Sequence, residues 1–336
     1  MQVRSNYRYD IAILRLVSII IIVFFHAYGM TYLHFSDDVN KLYSDVYRHF
    51  NESYLINLAM PMFVVISGYL YGRQLIANKY ADLKSLVKDK FRRIMIPFFF
   101  FSIFFMLTTN SFSFHFFYRW AFWHLWFLPM LFWCFIISFI FRKILLKDNV
   151  LLNLCILFVL FSISTFGVIL PKFLGLHNVS LWLCWFVMGI YLTRYSDNIF
   201  HFIQRYHLIG VLIAANILLN YKFYRIYGVY DYIGIFTIIL GILSLLYIFN
   251  RISWTNLKCL PFLLHLSSLS FGVYIYHNWL ELYMVSTTAK AYLNIEEFAA
   301  NHVYLYPFLF SMTAYILSVL LTEITLRVKI GRFLIG

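Results

Sequence analysis

Apolar runs long enough to cross a bilayer recur along this 336-residue chain, and they limit what it can fold into. Hydrophobic residues make up 62% of the sequence and charged residues only 12%, about half the usual share of a soluble domain. A helix that spans the hydrocarbon core needs about 20 apolar residues, and it satisfies its own backbone hydrogen bonds there. The sequence therefore predicts an all-α polytopic membrane protein.

Hydropathy and helix-terminating residues divide the chain into about ten predicted transmembrane spans. They cover residues 11–33, 54–72, 96–112, 119–141, 150–170, 178–193, 206–221, 229–249, 266–288 and 303–326. The connections between them are short, and no internal repeat or linker is visible. We therefore expect one membrane domain over residues 1–336, with no fused soluble domain and with the first span retained as a signal anchor.

The distribution of Lys and Arg predicts the orientation of these spans, since cytoplasmic loops carry an excess of both. With the N-terminus inside, 19 of the 27 Lys and Arg residues fall on the cytoplasmic side and seven on the outer side, and Arg15 lies within the first span. Both termini should then be cytoplasmic. The net charge of +13 is explained by these loops, and no nucleic-acid partner is expected.

The longest cytoplasmic connection, residues 73–95, is termed the basic loop. Apolar residues recur in it at helical spacing while Lys84, Lys88 and Arg92 occupy another face. This pattern is typical of an amphipathic helix that lies on the inner leaflet. Pro97 follows, and we expect it in the first turn of the next span, where proline is tolerated.

Arg15 and His26 stand eleven residues apart in the first span. On a helix they lie roughly 16 Å apart along the axis and on one face. Ionisable groups at bilayer depth are costly and indicate a functional site. His26 has the chemistry of a general base, and its alternative interpretation is a histidine hydrogen-bonded inside the helix bundle. Arg15 could instead extend to the lipid headgroups, bind an anion, or pair with Glu323 at a comparable depth, whereas Asp10 projects away from it.

Other polar residues of the apolar segments have two interpretations each. Ser67-Gly68 allows close helix packing or a backbone distortion that serves a ligand. Arg92 and Arg93 suit phosphate recognition, but they also suit cytoplasmic anchoring.

Two further groups lie in later spans. His124 and Trp126 lie near the outer face, where tryptophan usually belongs to the interfacial belt. Tyr274 and His277 share one helix face, and His277 either joins His26 in the interior or satisfies a local hydrogen bond. The four cysteines lack metal-ligand spacing and are interpreted as packing residues, so no metal site is expected.

Taken in order, these segments resemble the bacterial acyltransferase-3 family of membrane O-acyltransferases. The matching features are Arg15 and His26, the FVVISGYL block, Arg93 with Pro97 nearby, HLWFL at 124–128, the block Ser270–Gly272–Tyr274–His277, and Glu323. The order of the set is more specific than any one motif. The resemblance covers nearly the whole chain.

The resemblance implies that an acyl group, most often acetyl, passes from cytoplasmic acyl-CoA to a hydroxyl of a surface polysaccharide or its lipid-linked precursor. It implies catalytic roles for His26 and Arg15, with Arg15 orienting His26 or binding the donor. The implied substrate-binding residues are Ser67, Tyr69, Arg73, Arg92, Arg93, His124, Trp126, Tyr274, His277 and Glu323. It also implies the bacterial inner membrane as location, membrane lipid as a partner, and no permanently bound cofactor.

Two other functions fit a ten-helix chain with buried charges. A transporter or flippase for a lipid-linked glycan would often show paired half-repeats or broken helices, and none is recognisable in the sequence. A structural subunit of a glycan-synthesis complex would not need Arg15 and His26 intact. The sequence therefore favours the enzyme.

Overall fold

The computed structural model describes residues 8–42, 54–110, 112–113, 123–167, 170–223, 232–284 and 295–336, and in these ranges the chain is helical without a strand. The helices are α1 Tyr9–His34, α2 Tyr54–Ile76, α3 Leu83–Lys90, α4 Ile96–Thr108, α5 Phe127–Ile140, α6 Arg142–Leu145, α7 Val150–Phe166, α8 Val179–Arg205, α9 Ile209–Phe223, α10 Tyr232–Arg251, α11 Leu260–Ser268, α12 Ser270–Tyr283, α13 Ile295–Asn301, α14 Leu305–Arg327 and α15 Lys329–Ile335.

Several described helices are long and apolar enough to cross a membrane. Five stretches meet this requirement by length and composition, namely Tyr9–Gly29, Leu83–Thr108, Phe173–Arg205, Tyr232–Arg251 and Leu305–Arg327. Shorter apolar helices cover His124–Ile140, Val150–Phe166 and Ile209–Leu219. The chain is therefore a multi-pass helical membrane protein. Ten spans and cytoplasmic termini stay predictions.

Two of the predicted boundaries differ from the observed helices. The predicted span 178–193 continues as α8 to Arg205, because its polar extension contains no proline or glycine, and the chain turns at His207 with φ 51°. The predicted span 266–288 begins inside α11, and Leu269 separates α11 from α12. Polar helix extensions carry no hydropathy signal, which is why the sequence does not predict them.

The helices group into two compact units. Unit one comprises residues 1–60 and 242–336, and unit two comprises residues 61–241. In unit one, α1, α11, α12 and α14 pack around a buried apolar core to which α1 contributes Ile19 and Val23, and α12 contributes Val273 and Ile275. A single domain over the whole chain stays a prediction.

In unit two, α2 and α8 approach each other at two glycines. A Cβ atom on Gly68 would lie 2.0 Å from the carbonyl oxygen of Phe186, and one on Gly189 would lie 2.1 Å from that of Val65. Real side chains do not come this close to backbone, so the contact requires both glycines. The close approach predicted for Ser67-Gly68 is therefore confirmed.

Replacing Gly68 with alanine should destabilise the protein, since the added methyl group meets backbone that cannot move aside. Overpacking of this kind costs about 1–3 kcal/mol or more. Thermal unfolding in detergent measures the effect. Gly210→Ala is the matched control, because a Cβ atom there meets nothing within 4 Å. Equal unfolding temperatures for Gly68→Ala and the wild type would contradict the packing argument.

The basic loop contains the predicted helix, which is α3. The backbone N–H of Ser85 donates to the carboxylate of Asp82 at 2.7 Å and completes a capping box. This hydrogen bond lowers the pKa of the Asp82 carboxyl. Helix α3 passes through a π-helical turn over Phe91–Met95 into α4, and Pro97 lies in the first turn of α4 as predicted. A position on the inner leaflet stays a prediction.

Candidate active site

Two histidines meet inside unit one. His26 on α1 and His277 on α12 face each other, with their ring centroids 5.0 Å apart. The Nε2 atom of His277 lies 3.2 Å from the Nδ1 atom of His26. His277 is fully buried, and His26 is partly exposed. Both interpretations of His277 hold, because its Nε2 faces His26 and its Nδ1 meets the local carbonyl oxygen of Val273.

Backbone carbonyls determine how protons are arranged on this pair. Nδ1 of His26 lies 3.0 Å from the carbonyl oxygen of Ile22, and Nδ1 of His277 lies 3.1 Å from that of Val273. A carbonyl oxygen only accepts, so each Nδ1 carries the proton in a neutral ring. The single N–H of His26 is then shared between two acceptors, the carbonyl oxygen of Ile22 and Nε2 of His277. This tautomer leaves Nε2 of His26 as the basic nitrogen of its ring.

The side chain of Arg15 is held at the junction of α11 and α12. Its Nη2 atom donates to the carbonyl oxygen of Ser267 at 2.7 Å and to the hydroxyl of Ser267 at 3.1 Å. The Ser267 hydroxyl in turn donates to the carbonyl oxygen of Ala12. The Ser270 hydroxyl donates to the carbonyl oxygen of Ser267 at 2.8 Å. Arg15 thereby fixes α1 against α11.

Arg15 and Glu323 differ from the predicted arrangement. Glu323 pairs with His265 of α11, whose Nε2 atom contacts the carboxylate, and Arg15 bonds to Ser267 instead. A neutral serine hydroxyl and a carbonyl oxygen accept from the guanidinium where the sequence suggested a carboxylate. His277 contacts the ring of His26, whereas Arg15 is held about three helical turns earlier. The catalytic role of Arg15 stays a prediction.

Asp10 does not pair with Arg15, as predicted. Its carboxylate accepts a salt-bridging hydrogen bond from Arg8 at 2.7 Å and a longer one from Asn250 at 3.4 Å. Asp10 and Arg15 are five positions apart, which is about 140° around a helix, so Asp10 projects away from Arg15.

The predicted face of α12 is confirmed. The ring of Tyr274 lies 6.0 Å from that of His277, and both side chains are buried. A Cβ atom on Gly272 would lie 2.3 Å from the side chain of Thr322, so α12 and α14 approach closely there. The motif Ser270–Gly272–Tyr274–His277 therefore combines close helix packing with the contact between His277 and His26.

Glu281 is a residue that the sequence analysis missed. It lies one turn after His277 on α12, it is fully buried, and neither carboxylate oxygen has a hydrogen-bond partner among the described residues. Helix geometry places positions four apart on one face. The sequence could have identified it, since Glu281 is the single acidic residue of the predicted span 266–288. Glu281 is therefore a buried ionisable group on the face of α12 that carries His277.

The other predicted site residues belong to unit two. The hydroxyl of Ser67 donates to the carbonyl oxygen of Phe63 at 3.0 Å within its own helix. Tyr69 is buried, and its carbonyl oxygen accepts from the hydroxyl of Thr193 at 3.1 Å. In both cases the observed contacts are those of helix packing.

His124 and Trp126 lie in a short 3₁₀ helix before α5. His124 is buried, and the ring of Trp126 packs against Trp182 at 5.6 Å.

Arg73, Arg92 and Arg93 are exposed, and Arg93 forms an ion pair with Asp89 at 3.1 Å. Their substrate-binding roles stay predictions. Within the described ranges, no three His, Cys, Asp or Glu side chains come together as a metal site.

Comparison with known proteins identifies the family. A family model described as an acyltransferase domain matches residues 8–324, which is nearly the whole chain. No curated protein and no solved structure matches it. The match includes all the helices that carry the histidine pair and Arg15. The chain therefore belongs to the acyltransferase-3 family and is a membrane acyltransferase that transfers groups other than aminoacyl groups.

Proposed function

We propose that this enzyme moves an acyl group, which we take to be acetyl, from cytoplasmic acyl-CoA to a hydroxyl. The hydroxyl belongs to a cell-surface polysaccharide or to its lipid-linked precursor. We place the enzyme in the inner membrane of a bacterium. The observation that carries the proposal is the contact between His26 and His277. It gives a membrane helix an oriented imidazole, which is what deprotonation of a hydroxyl requires.

In the tautomer described above, Nε2 of His26 carries no proton, so it can act as the base of the reaction. Nε2 of His26 takes the proton of the acceptor hydroxyl while the oxygen attacks the thioester carbonyl. The tetrahedral intermediate collapses, the carbon–sulfur bond breaks, and the departing CoA thiolate receives the proton from Nε2. During this cycle His26 is transiently cationic, and Nε2 of His277 stabilises it by accepting the hydrogen bond from Nδ1.

The two ends of α1 suit two different substrates. Arg15 lies towards the predicted cytoplasmic end, and His26 lies roughly 16 Å further along the helix. The nucleotide of acyl-CoA is a large anion that stays outside the lipid, whereas its thin pantetheine arm can extend inwards. The donor would then enter from the cytoplasmic side and the glycan hydroxyl from the outer side, so that the thioester and the hydroxyl meet at His26.

Membrane vesicles of opposite orientation test the proposed sidedness. Acetyl-CoA with a labelled acetyl group does not cross the bilayer. We therefore expect labelled ester on the glycan from inverted vesicles, whose cytoplasmic face is outward. Right-side-out vesicles should form it only after permeabilisation. Equal ester formation by intact vesicles of both orientations would overturn a cytoplasmic donor site, and glycan translocation without any labelled ester would favour a transporter.

A further inference from the structure

Glu281 of α12 is a buried acid without a hydrogen-bond partner. Among the described residues two acids are buried, Asp10 and Glu281. Asp10 pairs with Arg8, whereas neither carboxyl oxygen of Glu281 has a partner in the part of the chain that the structure describes. A buried carboxyl group without hydrogen bonds costs free energy that an apolar side chain of similar size does not cost. Glu281 therefore needs an explanation other than the stability of the helix bundle.

The stripe of α12 that carries Glu281 faces α1. Ser270, His277 and Glu281 follow one another at intervals of seven and four positions, the spacing of a single helix face. At the start of this stripe the Ser270 hydroxyl donates to the same carbonyl oxygen that accepts from Arg15 of α1. In the middle of the stripe His277 contacts His26 of α1. Glu281 continues this face beyond the histidine pair.

Helix geometry places Glu281 on the outer side of the histidine pair. The two contacts above show that α1 and α12 run in parallel, with Arg15 near the start of α12 and His26 near its middle. Four residues of helix put Glu281 about 6 Å beyond His277, on the side away from Arg15. In the proposed reaction the glycan hydroxyl approaches His26 from that side. The spacing is close to the width of one sugar ring, so a sugar that reaches His26 also reaches the level of Glu281.

A carboxyl group has the chemistry that selects a sugar. Its two oxygens accept hydrogen bonds from O–H donors, and two neighbouring hydroxyls of one ring can bond to the same carboxylate. Such bonds are stronger in a protein interior than in water, and a site that offers them rejects an analogue without the hydroxyl. The proposed proton transfer does not require Glu281, because the proton that His26 takes from the acceptor leaves on the CoA thiol. Its carboxyl group is therefore available for binding.

We propose that Glu281 binds the acceptor sugar and determines which of its hydroxyls is acylated. The carboxyl oxygens accept from hydroxyls next to the reacting one, and they thereby hold the reacting hydroxyl at Nε2 of His26. The ligand class is a sugar with neighbouring free hydroxyls. This inference rests on the proposed function, since it names a residue that binds the acceptor of that reaction. It also explains the burial of Glu281, because binding groups that only a substrate satisfies are retained at a cost in stability.

Acyl transfer from labelled acetyl-CoA to the lipid-linked glycan tests this role. Glu281→Leu removes both acceptor oxygens, and we expect it to raise the Michaelis constant for the glycan about tenfold or more, the effect of losing a hydrogen bond to an ionised group. The ester should also appear at more than one position of the sugar. The Michaelis constant for acetyl-CoA should not change, although a general loss of structure would alter it. Glu281→Asp keeps a carboxyl group and should recover part of the effect, and Glu297→Leu at an exposed glutamate of the same unit is the control.

A second measurement does not depend on turnover. Thermal unfolding of the full-length protein in detergent is followed with and without the methyl glycosides of glucose, galactose, mannose and N-acetylglucosamine. At least one of these sugars should raise the unfolding temperature of the wild type, because a ligand that binds the folded state stabilises it. The rise should be smaller for Glu281→Leu, and the comparison removes the nonspecific effect of sugars on stability. Without sugar, Glu281→Leu should unfold no earlier than the wild type.

The two measurements distinguish this inference from the proposed function. If the wild type forms no ester, the proposed function fails, whereas a sugar effect on unfolding that requires Glu281 still supports the binding site. An unchanged glycan Michaelis constant and ester position in Glu281→Leu would overturn the role of Glu281 and leave the proposed function intact. Sugar effects that are absent or equal in the two proteins would count against it as well. If Glu281→Leu does not fold, Glu281→Gln replaces it with the same expected directions, and an unfolding temperature well below that of the wild type in both variants would make Glu281 a structural residue and overturn the proposal.

Discussion

Replacing His26 with glutamine is expected to lower the rate of acyl transfer by about 10²–10⁴-fold, the usual contribution of a general base. Glutamine keeps a polar side chain of similar length at the partly exposed position, but it cannot take the proton of the acceptor hydroxyl. The rate with labelled acyl-CoA and a saturating glycan acceptor measures the loss. The unfolding temperature in detergent should stay close to that of the wild type.

The control for this variant is His201→Gln. His201 is an exposed histidine of unit two, so the same chemical change is made where no proton transfer is proposed. We expect it to retain the wild-type rate. A His26→Gln enzyme that transfers acyl groups as fast as the His201 control would remove His26 from the mechanism.

Replacing His277 with leucine is expected to lower the turnover number by about 10–100-fold, the effect seen when the partner that orients a functional histidine is lost. Leucine fills the buried volume but cannot accept the hydrogen bond from Nδ1 of His26. The ring of His26 would then be less firmly held in the tautomer that makes Nε2 the base. The Michaelis constant for the donor should change little, because His277 contacts His26 and not the nucleotide.

His277→Gln separates orientation from packing. Its side-chain carbonyl oxygen can accept the hydrogen bond that Nε2 of His277 accepts in the wild type, so partial recovery of turnover is expected relative to leucine. A purely structural role would instead lower stability in both variants without a difference in turnover. Equal turnover of His277→Leu and the wild type, at equal stability, would show that His277 has no part in catalysis.

The helical class of the fold could be predicted from the sequence because lipid leaves few alternatives. Any long apolar run must be a helix, so α1, α7 and α14 follow from hydropathy alone. Close packing at Gly68 could be predicted as well, since only glycine lets two backbones approach so closely. The extension of α8 to Arg205 could not, because polar residues extend a helix without a hydropathy signal.

The candidate site was predictable in its residue types and less so in its pairings. Arg15, His26 and His277 stand out because ionisable groups in apolar spans are costly. The partners of Arg15 and Glu323 depend on the turn between α11 and α12, which brings Ser267 and His265 to that end of unit one. Those two residues belong to the short helix α11, which was not predicted as a separate element, so no pattern in the sequence identified them as partners.

The burial of Lys90 was partly predictable from the sequence. On a helical wheel Lys90 falls among the apolar residues of the basic loop, on the side away from Lys84 and Lys88. The rings that surround its ammonium belong to Tyr71, Tyr80 and Phe135 and come from α2, the basic loop and α5. The sequence pattern does not identify these ring partners, because they lie on separate segments of the chain.

The most direct test of the central claim follows a labelled acetyl group from acetyl-CoA into an ester on the lipid-linked glycan, using purified wild type and His26→Gln side by side. The predicted result is base-labile, ester-linked label that depends on the wild-type enzyme and is nearly absent with the folded His26→Gln variant. Ester formation at the same rate by both proteins would contradict catalysis by the histidine pair.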